Sequence, residues 1–290
     1  MQRGQGFKGF LSYIRRNPAF GLGLFILVAL LVFAGVGSLV VSEEDAQPLS
    51  ATPNSEPTGE YPFGTDSTGR NLLAQMIHGT RVTLSIGMIA GSVGLAIGTV
   101  LGFMTGYFGG IFDTIVKFIV DVLMTIPQFL LLVMIASSVP EPDKLTIVQM
   151  GLILSLISWV RPTRAIRAQI LSMRERAFVM MAKLSGMSGM EIIIKEMMPN
   201  LMPYLAISLA TAVNGGVVSS LGLQTLGIGN LRRPSLGMTI YWLRYYNAFL
   251  QGYWWWILEP VIVVVLIFAA FLLLSIGMDE FANPRTRRTV

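Results

Sequence analysis

The chain has no cysteine, which excludes disulfides and every metal site built on thiolates. It has one histidine, His78, too few for a histidine-rich metal centre or proton relay. Charge is scarce as well, at 13% of the 290 residues, against roughly 25% in an ordinary soluble domain. Three chemical signatures are also missing. No Gly-x-x-x-x-Gly-Lys-Ser/Thr phosphate loop occurs, so ATP cannot be held in that way. Neither a Gly-x-Ser-x-Gly elbow nor a His-Glu-x-x-His pair is present. The chain is therefore expected not to be an enzyme by itself and to bind no metal or cofactor of its own.

What is abundant is apolar sequence: 53% of the residues, with a mean hydropathy of +0.65. A membrane helix needs about 20 mostly apolar residues, and six stretches are read as spans: Phe20–Val41, Val82–Tyr107, Ile115–Val139, Leu145–Val160, Pro203–Leu221 and Trp254–Met278. The fourth is short. Arg161, Pro162 and Arg164 mark its end, and it is expected to continue as a water-exposed helix. The first run is too long for the apolar region of a cleaved signal peptide. The expected fold is an all-α membrane protein of six transmembrane helices.

The net charge of +5 would suit nucleic acid, but its placement points to a lipid bilayer instead. Basic residues gather at one side of the spans: Arg3, Lys8, Arg15 and Arg16, then Arg161, Arg164, Arg167, Arg174, Arg176, Lys183 and Lys195, then Arg285, Arg287 and Arg288. The opposite side holds fewer, namely Arg70, Arg81, Lys144, Arg232, Arg233 and Arg244. That bias predicts an inner (cytoplasmic) membrane protein with both termini cytoplasmic. Phe7, Phe10, Leu11 and Ile14 recur at helical spacing beside Lys8, Arg15 and Arg16, so residues 1–19 are expected to form a basic interfacial helix. The first span follows at 20–41, and residues 42–79 read as an irregular external loop. Residues 80–278 form the core, and 279–290 a cytoplasmic tail.

Within the core, the largest inner loop, 161–200, reads as two helices broken by a turn. Gly186 suits a positive φ that ends the first helix. Ser188 and Glu191 have the spacing of a capping box that starts the second, and Pro199 is expected to stop it. The product is a bent element at the membrane surface, able to pass movement from a soluble partner into the spans. By spacing alone, a generic amphipathic hairpin fits equally.

This segment resembles the Glu-Ala-Ala loop of ABC importer permeases: Gly186 stands at that pattern's glycine, Ala182 at its second alanine and Pro199 at its proline. The resemblance extends in order along the chain. Pro62-Phe-Gly-Thr-Asp-Ser-Thr-Gly-Arg70, His78-Gly-Thr-Arg81-Val-Thr-Leu-Ser, Gly106-Tyr-Phe-Gly-Gly110 with Asp113, Asp121 to Pro127, Leu221 to Gly229 and Asn283-Pro284-Arg285 all resemble the C-type permease subunit of the dipeptide/oligopeptide/nickel importers. Met180 and Met181 depart from the pattern by standing where it has Glu and Ala, and Gln224-Thr225 replaces a Ser-Phe step. Methionine packs adaptably, so these two are expected to reach an ATPase by packing.

The resemblance implies a type I importer permease core in which Met180, Met181, Ala182, Gly186, Ser188, Glu191 and Pro199 couple to an ATPase. It implies a homologous B-type permease as heterodimer partner, two ATPase subunits or domains that carry ATP and Mg, and an external solute-binding protein. The implied cargo is di- or oligopeptides, with oligosaccharides, nickel chelates or another solute as alternatives. An ion-driven secondary transporter and a non-transporting scaffold are rivals from other classes.

Other residues stand out. Asp113, Lys117 and Asp121 share one helix face at the start of the third span, either as a gate or subunit contact or as a self-neutralising ion pair. Pro127 should kink that span. Gly87, Gly91, Gly94, Gly98 and Gly102 form a ridge for close helix contact, within this chain or against a partner. His78 reads as a structural residue. Trp254, Trp255 and Trp256 read as an aromatic anchor at the outer interface, or alternatively as a stacking site.

Overall fold

The computed structural model describes residues 13–282. Within them the regular secondary structure is helical, and the one β-type contact is an isolated bridge between Thr65 and Asn71. Phe7, Phe10, Leu11, Arg3 and Lys8 of the expected interfacial helix lie outside the described residues, as do Asn283, Pro284, Arg285, Arg287 and Arg288. Residues 13–16 are helical, and the Tyr13 hydroxyl donates to the carbonyl of Gly277.

The helices in chain order are α1 (Pro18–Val40), α2 (Leu72–Phe108), α3 (Gly110–Thr125), α4 (Gln128–Ser137), α5 (Ile147–Ser158), α6 (Val160–Arg174), α7 (Ala177–Leu184), α8 (Gly189–Glu191), α9 (Met198–Thr225), α10 (Leu236–Tyr245) and α11 (Trp254–Ala282). Four stretches are long and apolar enough to cross a membrane: Pro18–Val40, Leu72–Phe108, Gly189–Thr225 and Trp254–Met278. A fifth is the pair α3 and α4, bent by 90°. The bend falls where sequence placed it, at Pro127, whose ring cannot continue the hydrogen-bond ladder. The remaining expected span is α5, 12 residues long. At 1.5 Å per residue it covers about 18 Å, short of a hydrocarbon core of about 30 Å.

α2 lies at the centre of the bundle, and the glycine ridge explains how. A Cβ on Gly87 or Gly91 would meet Val217 or Val213 of α9 at 2.4 and 2.5 Å, and one on Gly98, Gly102 or Gly106 would meet Pro162, Ile166 or Ile170 of α6 at 2.7 to 2.8 Å. The ridge is thus spent inside this chain, where bare backbone lets α9 and α6 seat directly on α2. α6, the expected extension, is amphipathic: Val160, Thr163, Ile166 and Ile170 are buried, while Arg161, Arg164, Ala168 and Gln169 are exposed.

The structure corrects two further expectations. α2 starts ten residues before the predicted Val82, capped by Asn71, whose side chain accepts from the Leu73 N–H at 3.0 Å. Its first turns carry polar groups that look unfit for a span, but each has a partner. Gln75 donates to the Ala46 carbonyl at 2.6 Å and accepts from Thr239 at 3.2 Å, and His78 Nε2 lies 3.0 Å from the Val41 carbonyl. The tryptophans are the other correction. Trp254 is exposed, but Trp255 and Trp256 are buried against Leu72 and Ala248, so two of the three hold a loop cap together instead of facing lipid.

That cap closes one end of the bundle. Asp66 is its hub: Oδ1 accepts from Thr68 N–H and hydroxyl and from Arg70 N–H at 2.7 to 2.9 Å, and Oδ2 pairs with the Arg70 guanidinium at 3.4 Å. Arg70 also lies 4.9 Å over the Trp242 ring, a cation–π contact. Burial lowers the pKa of Arg70 from its ordinary value, and the Asp66 carboxylate opposes that shift. The bent element of residues 161–200 lies at the other end, here called the elbow end.

Candidate functional site

The elbow begins where α7 ends. Met187 N–H donates to the Ala182 carbonyl at 3.2 Å and Gly186 N–H to the Lys183 carbonyl at 3.1 Å. These two bonds make a Schellman cap, which needs a left-handed residue at its corner. Gly186 supplies it with φ +79°. Two residues on, Ser188 and Glu191 form the capping box: Ser188 N–H and hydroxyl donate to Glu191 Oε2, each at 3.0 Å, and Glu191 N–H donates back to Ser188 Oγ at 3.4 Å. Lys195 pairs with Glu191 Oε1 at 3.1 Å. Two caps back to back therefore fix the bend with little help from elsewhere.

Pro199 does not act as expected. It lies in the first turn of α9, where its missing N–H costs little, and Gly189–Thr225 runs on as one helix. The join is a π-helical turn over Ile192–Met197, in which Met198 N–H donates to the carbonyl of Ile193. The second arm of the elbow is consequently the first part of a spanning helix, so the two move together.

The elbow has two faces. The inner one packs Val179, Ala182, Ile192, Ile193 and Met197 onto Phe103 of α2 and Ile166, Ile170 and Met173 of α6. Gly189 lies so close to the end of α2 that a Cβ would meet the Tyr107 ring at 2.9 Å. The outer face exposes Met180, Met181, Leu184, Met190 and Ile194, with Leu184 at 81% and Met181 at 63%. Met180 and Met181 are thus on the free surface. Ala182 is turned inward, and Gly186 touches nothing that a Cβ would reach. Leu184, Met190 and Ile194 escaped the sequence reading. Leu184 follows Met180 and Met181 by four and three residues, the spacing of one helix face, and that signal would have found it.

The charged face of α3 finds its partners on α6. Arg167 grips Asp113 in a bidentate pair, with Nη2 to Oδ2 at 2.6 Å, and Arg164 meets Asp121 at 3.5 Å. The self-neutralising reading is corrected: Lys117 is exposed and makes no ion pair with either carboxylate. Geometry explains the preference, because a guanidinium on a facing helix can present two parallel donors. A cavity of about 190 Å³ remains between α3 and α6, lined by Lys117, Asp121, Arg164 and Arg167 among others. One acidic residue was passed over in the sequence: Glu259, in the second turn of α11, has a buried Oε2 without a hydrogen-bond partner.

Comparison with known proteins adds to this geometry. A family model described as "Binding-protein-dependent transport system inner membrane component" matches residues 98–288. The chain is 28% identical over 275 residues to the dipeptide transport system permease protein DppC of Bacillus subtilis, covering 95% of this chain and 84% of that one. It is 30% identical over 216 residues to the oligopeptide transport system permease protein OppC of Escherichia coli strain K12, covering 74% and 70%. To OppC of Mycobacterium tuberculosis strain H37Rv it is 29% identical over 173 residues, 60% and 59% of the two chains.

Proposed function

Because the chain belongs to the family of binding-protein-dependent transport system inner membrane components, and is therefore a permease subunit of an ABC importer, we propose that it passes di- or oligopeptides and is driven through its elbow by a separate ATPase. The observation that carries this reading is the free apolar face of Met180, Met181, Leu184, Met190 and Ile194 on a doubly capped bend. Five large apolar side chains at the basic end of a membrane protein mark a docking surface rather than a lipid contact. In this reading the elbow end is cytoplasmic, as its arginines and lysines suggest, and the cap end faces the solute-binding protein.

The mechanism follows from the connection between parts. An ATPase subunit closing on ATP and Mg pushes the elbow. The elbow's second arm is continuous with α9, and its first arm packs on α6. α6 in turn is tied to α3 by Arg167–Asp113 and Arg164–Asp121. A push therefore reaches three helices together, and a homologous B-type permease completes the pathway. ATP binding shifts the access equilibrium only by binding one state better than the other. The cofactor and the hydrolysis belong to the partner; this chain transmits.

Peptide cargo is supported by the relatives, which are dipeptide and oligopeptide transport system permease proteins. Oligosaccharides and nickel chelates are the alternatives, and uptake assays with labelled dipeptide, oligosaccharide and chelate in one strain separate them. For coupling, the test is Leu184→Asp with Met181→Asp in the complete transporter. The expected result is loss of ATPase co-purification and of ATP-dependent uptake. Intact uptake would refute the docking role, and uptake that survives ATP depletion but not an uncoupler would favour an ion-driven carrier.

A further inference from the structure

We propose that the groove between α1 and α2 is a binding site for a glycerophospholipid of the leaflet at the cap end, with Arg81 holding its phosphate. The groove has a volume of about 460 Å³ and is lined by Leu31, Ala34 and Gly35 of α1 and by Leu84 and Met88 of α2, with Arg81 and Ser85 as its polar members. Arg81 is exposed there. Like Arg161, Arg176, Arg232, Arg233 and Arg244 it makes no ion pair among the described residues, and of these it is the one that lines the groove.

Depth fits a headgroup. The last turns of α1 run beside Ile77 and His78: a Cβ on Gly37 would meet the Ile77 side chain at 3.0 Å, and His78 lies 3.0 Å from the Val41 carbonyl. Arg81 is three residues further along α2, about 4.5 Å deeper, and so sits just inside the rim of the apolar layer. An unpaired guanidinium at that level is costly in hydrocarbon but reaches the rim by extending its stem. A phosphodiester there supplies two acceptors in the geometry that guanidinium recognises, while the apolar groove running inward from it receives an acyl chain.

The test uses the full chain, purified in detergent, stripped of lipid and titrated with phosphatidylglycerol under native mass spectrometry. One lipid should bind ahead of the rest, and phosphatidylethanolamine should compete for the same place while diacylglycerol, lacking phosphate, should not. Arg81→Gln should weaken that first binding about tenfold, the equivalent of one charged hydrogen bond, and Arg81→Lys should retain most of it. Gly35→Leu is the second variant. No atom lies within 4 Å of a Cβ at that position, so the fold should accept the side chain while the groove loses its acyl chain. Equal lipid binding by wild type, Arg81→Gln and Gly35→Leu would overturn the proposal. So would loss of a co-purifying subunit in Arg81→Gln with lipid binding unchanged, which would assign Arg81 to a protein carboxylate.

Discussion

The two ends of the bundle use similar side chains to opposite effect. At the cap, Trp255, Trp256, Leu72 and Leu236 are buried, and the charged pair Asp66–Arg70 is buried with them. At the elbow, Met181, Leu184 and Ile194 are exposed, and the ion pair Glu191–Lys195 is exposed beside them. The cap buries its charged pair and two of its tryptophans within its own chain, although Leu49, Phe249 and Leu250 around them stay exposed. The elbow keeps only its bend internally fixed and leaves its apolar face free. The difference teaches how each end is held: the cap rests on a buried charged core beneath its exposed Leu49, Phe249 and Leu250, whereas the elbow carries its apolar side chains on a bend fixed by its two helix caps.

Substitutions ordered by their expected cost to stability can break or sharpen this contrast, each read as the unfolding transition of the purified chain in detergent. Asp66→Ala leaves the Arg70 guanidinium buried without its carboxylate and should cost about 3–5 kcal/mol; a loss below about 1 kcal/mol would show that the pair does not hold the cap. Next come two glycines of like conformation. Gly64 at the cap has φ +71°, and a Cβ there would meet the Ser55 carbonyl at 2.6 Å. Gly186 at the elbow has φ +79° with open space around it. Alanine should therefore cost about 3 kcal/mol at position 64, where crowding adds to backbone strain, and only about 1 kcal/mol at 186, where strain acts alone. Equal costs would erase the distinction between a closed and an open end. Ser188→Ala removes one half of the capping box and should cost about 1 kcal/mol. Leu184→Asp should change stability by less than about 0.5 kcal/mol and still abolish ATPase attachment. A large loss of stability there would mean that the exposed face supports the fold after all.

Much of this arrangement was legible in the sequence because single physical signals carried it. Uninterrupted apolar length marked α1, α9 and α11. Pro127 announced the bend between α3 and α4, and Gly186 with Ser188 and Glu191 announced the elbow. Most of the errors share a cause, since they depended on what lies far away in the chain. Gln75 and His78 looked too polar to open α2 until Ala46 and Thr239 appeared beside the first and Val41 beside the second. Asp113 and Asp121 looked like partners for Lys117 because only local spacing was in view, while their arginines sit on α6. The tryptophans looked like lipid anchors because a cap built from residues 41–71 cannot be read from residues 254–256. Pro199 misled for a different reason: proline is a breaker inside a helix but tolerated in a first turn, and the π-helical turn that precedes it has no sequence mark.

That π turn takes up a surplus residue within the long helix. A regular α-helix advances about 100° per residue, and a π turn holds one residue more than the regular spiral needs. Deleting one residue between Ile192 and Met197 would therefore give a regular helix with Met190 at nearly its present bearing to the face of α9 that seats on Gly87 and Gly91, whereas the same deletion further along α9 would turn it by about 100°. The surplus peptide unit thus makes this arm tolerant of a lost residue at one place and intolerant of it beyond.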